Sequence, residues 1–253
     1  MEFDFLFLAC TIPAIMLYGV AKSGLGGSMA LISIPLMTVV MTLSQALAII
    51  LPILILSDLV AVYKFRKHYD SKTLKLLMVG GAIGVVTGSY TYIYFSEELL
   101  KVLIGCMGFI FTTHYFIFKR KKLIPLKKSI LKGGISSAVA GFASFCVHAG
   151  GTPTSIYLLP LRLKKEIYVG TRVIFFTFLN LIKLPFYINL SFFNADTLKM
   201  SVLFFPASIL GILIGYQILK RVKEGVFYNV VYSLILISST KLIIESLVSM
   251  PLI

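Results

Sequence analysis

Charged side chains are scarce in this sequence. Asp, Glu, Lys and Arg make up 13% of its 253 residues, against 58% hydrophobic residues and a mean hydropathy of +0.95. Apolar runs of about 17–25 residues match the thickness of a bilayer core, and a soluble domain of this length has no interior large enough to hide so many. The shortage of charge excludes a soluble fold and predicts an all-α polytopic membrane protein. Cysteine is also scarce: Cys10, Cys106 and Cys146 lie far apart with no CxxC spacing, which excludes a sequence-encoded zinc site or disulfide framework. Two catalytic signatures are missing, HExxH and GxSxG, and the three histidines are widely separated. Neither an enzyme nor a cofactor is therefore expected. The amino-terminal "MEFDF" lacks the basic region of a signal peptide, so the first apolar segment is expected to be retained.

Acidic residues are fewer still, 10 against 24 Lys and Arg, giving a formal net charge of +14. Most of the basic residues fall in four short windows, 64–75, 119–132, 162–172 and 220–223. Loop charge of this kind follows the positive-inside rule and attracts anionic lipid. No basic stripe is interleaved with a foldable soluble domain, so nucleic acid is not an expected partner.

Ten hydrophobic segments are present, at approximately 4–21, 28–41, 46–63, 74–95, 98–118, 133–149, 152–161, 168–190, 197–219 and 225–248. The basic linker "KRKKLIPLKKS" divides them five and five. This predicts a first membrane repeat over 1–118, a cytoplasmic linker over 119–132 and a second repeat over 133–253. Gly19 matches Gly141, Gly26-Gly27 matches Gly150-Gly151, Pro35 matches Pro160, Asp70 matches Asp196, and Gly84 with Gly88 matches Gly211 with Gly215. Loop charges change sign between the halves. "KFRKHYDSKTLK" stands against "NLSFFNAD", "FSEE" against "KRVKEG", and "MTLSQ" against "RLKKEIYVGTR". The halves are thus predicted to enter the membrane in opposite orientation, with both termini outside. Inverted repeats with interrupted segments in matching positions point to a secondary transporter. Segment 152–161 is too short to cross as a helix, and the sequence leaves open whether it and segment 28–41 span or re-enter.

Both halves break at the same place, in "KSGLGGS" and in "HAGGTPTS". A helix break at membrane depth survives only where protein or a water-filled cavity satisfies the freed backbone groups. Restarting helices would direct N–H groups and a positive dipole end at each break. Pro153 suits a first helical turn, and Ser28, Thr152 and Thr154 offer caps or hydroxyl donors. The pattern predicts an anion cradle from Lys22, Ser23, Gly24, Gly26, Gly27 and Ser28 in one half and from His148, Gly150, Gly151, Thr152 and Thr154 in the other. Arg172, whose guanidinium suits an oxyanion, and Lys183 are further candidates. Asp58 corresponds to Lys183 under the repeat. Either the two pair with each other, or Lys183 meets substrate while Asp58 carries a proton. Gly84, Gly88, Gly211 and Gly215 read as helix-packing glycines, and Lys241 with Glu245 as an i, i+4 pair. Asn180 and Gln45 are polar near the same levels, without an assigned role.

These motifs resemble the sulfite exporter TauE/SafE family over about residues 5–248. The likeness rests on "GVAKSGLGGSMALISIPLM", "QALAIILPILILSDLVAVYKFRKHYD", "GFASFCVHAGGTPTSIYLLPLRL" and "GTRVIFFTFLNLIKLPFYI". It implies a plasma-membrane transporter of a bacterium or archaeon that moves sulfite, sulfoacetate, another organosulfonate or thiosulfate, usually outward. Where the family often has a further glycine this chain has Ser28, and its second turn carries His148 and Thr152-Pro153-Thr154. An anion channel, or a carrier of a non-sulfur organic anion, is the alternative. Coupling ion and direction stay open, and a homodimer is compatible with the sequence.

Overall fold

A computed structural model describes residues 5–24, 30–118 and 126–249. Among them are ten α-helices and no strand: α1 (Phe5–Ser23), α2 (Ala30–Met37), α3 (Leu43–Phe65), α4 (Ser71–Thr91), α5 (Glu97–Phe118), α6 (Ile130–Val147), α7 (Gly151–Leu158), α8 (Lys165–Asn189), α9 (Ala195–Arg221) and α10 (Glu224–Ser249). All but α2 and α7 are long and apolar enough to cross a membrane. At 1.5 Å per residue the eight-residue α2 and α7 reach only about 12 Å.

Helix starts follow from local chemistry. Thr42 and Gln45 form a reciprocal capping box at α3, and Asn194 and Thr197 do the same at α9. This gives Gln45 a structural role. Asp70 caps α4 through the Thr73 N–H, and Ser129 caps α6. At the other end of α6, His148 takes a left-handed backbone (φ 51°), which stops the helix. Gly150 then caps α7 without any side-chain hydrogen bond. The expectation that Thr152 or Thr154 caps this restart is therefore not met: both lie inside α7, with Thr154 bonded back to the Gly150 carbonyl at 2.8 Å.

α6 and α7 form an antiparallel hairpin. A Cβ at Gly150 would meet the Ala140 carbonyl, and one at Gly133 would meet the Tyr157 ring. The Ser136 hydroxyl donates to the Pro153 carbonyl, and the N–H of Leu126, just before α6, donates to the carbonyl of Pro160, just after α7, at 3.0 Å. The chain thus returns to the level at which α6 began, which answers the question the sequence left open for this segment. In the first half α2 packs back on α1.

The halves pack reciprocally. α1 lies on α9 as α6 lies on α4, α3 meets both α8 and α9, α8 meets α4, and α5 pairs with α10. The correspondence reaches single atoms. A Cβ at Gly19 would strike the Ser208 carbonyl and the Ile212 amide, and one at Gly141 would strike the Gly81 carbonyl and the Val85 amide. Likewise Gly211 faces the Met16 carbonyl and Gly84 the Ala138 carbonyl. Only glycine permits this backbone approach. These contacts are what a twofold relation between the repeats produces.

One end of the bundle collects the basic windows. Lys128 binds the Asp70 carboxylate at 2.7 Å, and the Asp70 N–H donates to the Thr171 hydroxyl at 2.9 Å. Lys165 donates to the Leu219 and Val222 carbonyls at 2.6 and 2.7 Å. Lys64 and Lys220 both lie over the Tyr216 ring.

Candidate anion site at the helix breaks

The last turn of α1 brings Lys22 to the middle of α3. Its ammonium lies 2.7 Å from Asp58 Oδ1 and 2.8 Å from the Leu54 carbonyl. Asp58 is only 1% exposed, and a carboxylate so buried stays ionised only when its lone pairs are occupied. Two side chains of α8 complete the set: the Thr177 hydroxyl donates to Oδ1 at 2.7 Å and the Asn180 amide to Oδ2 at 2.9 Å. This one carboxylate therefore ties α1, α3 and α8 together.

The second half repeats the tether with different chemistry. Lys183 on α8 donates to the Ser144 carbonyl and hydroxyl at 3.2 and 3.1 Å, and its Nζ lies 2.9 Å from His148 Nδ1. Under the repeat, Lys183 stands where Asp58 stands and Ser144 where Lys22 stands. Asp58 and Lys183, read from the sequence as a possible pair, instead each hold the tip of their own broken helix among the described residues. With Lys183 charged, the facing Nδ1 has to accept, which assigns the imidazole proton to Nε2. That Nε2–H is turned toward the Leu47 backbone carbonyl.

Arg172 enters from the first third of α8. Its guanidinium is buried between the Tyr168 and Phe176 rings, 5.5 and 5.4 Å from their centroids. Nη1 donates to the Gly151 carbonyl, the Ser155 hydroxyl and the Tyr168 hydroxyl at 3.2, 2.5 and 3.2 Å. Nη2 is buried and has no partner.

Between these groups lies a cavity of about 70 Å³, whose walls include Tyr18, Lys22, Ser144, His148, Gly151 and Arg172, with Leu54, Val173 and Phe176 as apolar surface. One water needs roughly 10–15 Å³ by the same measure, so there is room for a small polyatomic ion. Two lining residues present buried polar atoms without a hydrogen bond: the Tyr18 hydroxyl and Arg172 Nη2. Lys22 is balanced by Asp58, and Arg172, which has no acidic partner among the described residues, leaves the lining with one positive charge in excess.

Of the residues singled out in the sequence, Lys22, His148, Gly151, Arg172 and Asn180 line this cavity. Lys183 stands behind His148 and Ser144. Gly26, Gly27 and Ser28 lie outside the described residues. Ser23 and Gly24, expected in the cradle, pack on α9: the Ser23 hydroxyl donates to the Ile212 carbonyl at 2.7 Å, and a Cβ at Gly24 would strike Gly215. Gly150 packs on α6, Thr152 turns its methyl toward Gly108 of α5, and Thr154 is satisfied within α7. Sequence reasoning missed Tyr18 and Ser144. Tyr18 sits one helical turn before Lys22, so the 3.6-residue period counted back from the lysine would have found it.

Described residues that form an all-helical bundle with eight membrane-length helices, reciprocally packed halves and a small cationic cavity between the ends of α1 and α6 have the architecture of a membrane transporter. The model of the sulfite exporter TauE/SafE family matches residues 11–242, and the chain belongs to that family of membrane transporters. No curated protein and no solved structure matches it.

Proposed function

We propose that this protein is a secondary transporter of a small sulfur-containing anion, of the class that includes sulfite, organosulfonates and thiosulfate, and that the anion binds in the cavity between the helix breaks. The observation that carries this reading is the pair of buried, unpartnered donors, the Tyr18 hydroxyl and Arg172 Nη2, around one cavity. Unsatisfied buried donors are costly, and an oxyanion supplies acceptors for both. Tyr18 and Arg172 Nη2 would contact the oxygens, with the His148 ring beside them, and Lys22 would neutralise charge. Lys183 would act through His148 as a positioning residue, fixing the orientation of its ring. The apolar wall of Leu54, Val173 and Phe176 accommodates the carbon end of a sulfonate.

Family membership supports sulfur as the chemistry. Reciprocal packing of the repeats supports alternating access, with the halves rocking about the shared site. The basic end is assigned to the cytoplasm by the positive-inside rule, which puts both termini outside. Asp58 is the coupling candidate: protonating it would release Lys22 from its ion pair and free the ammonium for substrate.

Counterflow in proteoliposomes tests the proposal. Vesicles are preloaded with unlabelled sulfite, sulfoacetate, thiosulfate or a carboxylate control, and the matching labelled anion is added outside. Saturable accumulation of one sulfur anion, absent with the control, is the expected result. Folded protein that gives no counterflow with any sulfur anion, or a non-saturating conductance in its place, removes the carrier reading.

A further inference from the structure

A second and larger cleft, of about 520 Å³, opens at the basic end between α5, α6 and α7. It is separate from the central cavity and shares no lining residue with it. Its inner walls are apolar, from Met107, Ile135, Val139, Ile156 and Leu161. Ile135 is 59% exposed and Met107 37%, so the slot is open sideways, where a helix bundle of this kind meets acyl chains. Its mouth is polar and cationic, formed by Lys127, Ser129, Lys132 and the Tyr157 ring edge.

Two observations make this more than an apolar groove. The first is charge. Lys128 is bound to Asp70, but among the described residues neither of its neighbours at the cleft, Lys127 and Lys132, has an ion-pair partner. The sequence just before the mouth is "KRKKLIP", which contains no acid to neutralise them. The second is Tyr157. It is 6% exposed, it lines the cleft, and its hydroxyl is buried. Gly133 explains its position: the end of the ring fills the space where that glycine has no side chain, and the phenol oxygen accepts from the Ser129 backbone, which leaves the hydroxyl proton free to donate at the mouth. Two unpaired ammonium groups and a buried phenol thus meet at the top of an apolar slot that faces the bilayer.

We propose that this cleft binds an anionic phospholipid, with the headgroup phosphate at Lys127, Lys132 and the Tyr157 hydroxyl and an acyl chain along Ile135, Val139 and Met107. A lipid seated there spans the base of the α6–α7 hairpin, where Leu126 and Pro160 are joined, and fixes the hairpin to α5. The site does not depend on which anion the central cavity carries.

The experiment uses the purified full-length protein and native mass spectrometry, with melting temperature as a second readout. The probes are phosphatidylglycerol, phosphatidylcholine of the same acyl chains, and free glycerol phosphate. Phosphatidylglycerol is expected to bind and raise the melting temperature, while the other two do neither. K127Q/K132Q is expected to weaken phosphatidylglycerol binding about thirtyfold, from about fivefold per surface lysine. K64Q/K220Q, altered elsewhere on the same basic end, retains it. Ile135→Trp fills the slot and abolishes binding without touching charge. Equal binding of phosphatidylcholine, full stabilisation by glycerol phosphate alone, or unchanged binding by K127Q/K132Q or by Ile135→Trp would each overturn the proposal.

Discussion

Removing the Tyr18 hydroxyl separates two effects that most site substitutions mix. That hydroxyl has no hydrogen-bond partner among the described residues, so Tyr18→Phe is expected to leave thermal stability without substrate unchanged or slightly raised. If it donates to a bound anion, its loss forfeits a charge-assisted hydrogen bond of about 1.5–3 kcal/mol, a rise in KM of roughly 10- to 150-fold. A melting curve and a transport saturation curve on one variant decide the matter. Lys22 behaves differently because it serves two masters. Lys22→Gln leaves a buried carboxylate without a cation, a loss of about 3–5 kcal/mol. The double variant K22Q/D58N, whose remaining groups are neutral, is expected to recover most of the stability and none of the transport; recovered transport would remove Lys22 from the site. At this scale the sequence shows chemistry better than direction. Lys22, His148 and Arg172 stand out because polar groups at membrane depth are rare. Ser23 and Gly24 stand out for the same reason, yet they face α9, because a cluster of small and polar residues does not reveal which side of the helix meets a neighbour. Tyr18 stays hidden because a tyrosine in an apolar run reads as ordinary packing.

Helix pairs in this protein are held at backbone distance, and the glycines that allow it can be ranked. A Cβ at Gly84 would sit 1.9 Å from the Ala138 carbonyl, whereas one at Gly134 would meet nothing within 4 Å. Gly84→Leu is therefore expected to prise α4 from α6 and abolish the monodisperse peak in size-exclusion chromatography. Gly134→Ala lies in the same helix pair without a contact, and is expected to add about 0.5–1 kcal/mol through helix propensity, or roughly 1–4 °C in melting temperature. A normal elution profile for Gly84→Leu would contradict the packing described above. The ten helices themselves are legible in the sequence, because each is an apolar run bounded by charges, caps or glycines. The hairpin path of α6 and α7 is not. Composition marks where a helix breaks, but whether the chain turns back is decided by tertiary contacts such as Gly150 on Ala140 and Leu126 on Pro160.

The basic end holds both halves together through Asp70, which caps α4, binds Lys128 of the linker and touches Thr171 of α8. Burial acts to raise the pKa of this carboxyl, but Lys128 and the Thr73 amide outweigh it and hold the group below the ordinary value of 3.8. A folded pKa below the unfolded one contributes stability above the unfolded value and loses it as pH falls through the folded value. The melting-temperature difference between wild type and Asp70→Asn is therefore expected to hold at neutral pH and to shrink as pH falls past the ordinary carboxylate value and through the lower folded one; a constant difference would mean that the clamp is not ionic. Orientation is checked separately. A cysteine introduced at Lys127 is expected to react with an impermeant maleimide only after the cytoplasmic side is opened, and labelling from outside would reverse the assigned sidedness. The repeats also differ where they are most alike, since one helix tip is moored by an ammonium on a carboxylate and the other by a hydroxyl and an imidazole on an ammonium. Two identical halves would give a carrier that looks the same from either side of the membrane. If the halves rock as proposed, unlike moorings give the inward-open and outward-open states different free energies, and the half-saturating concentrations on the two faces then differ as well. Such a carrier obeys every gradient, yet it has a preferred resting face and reads low concentrations better on one side than on the other.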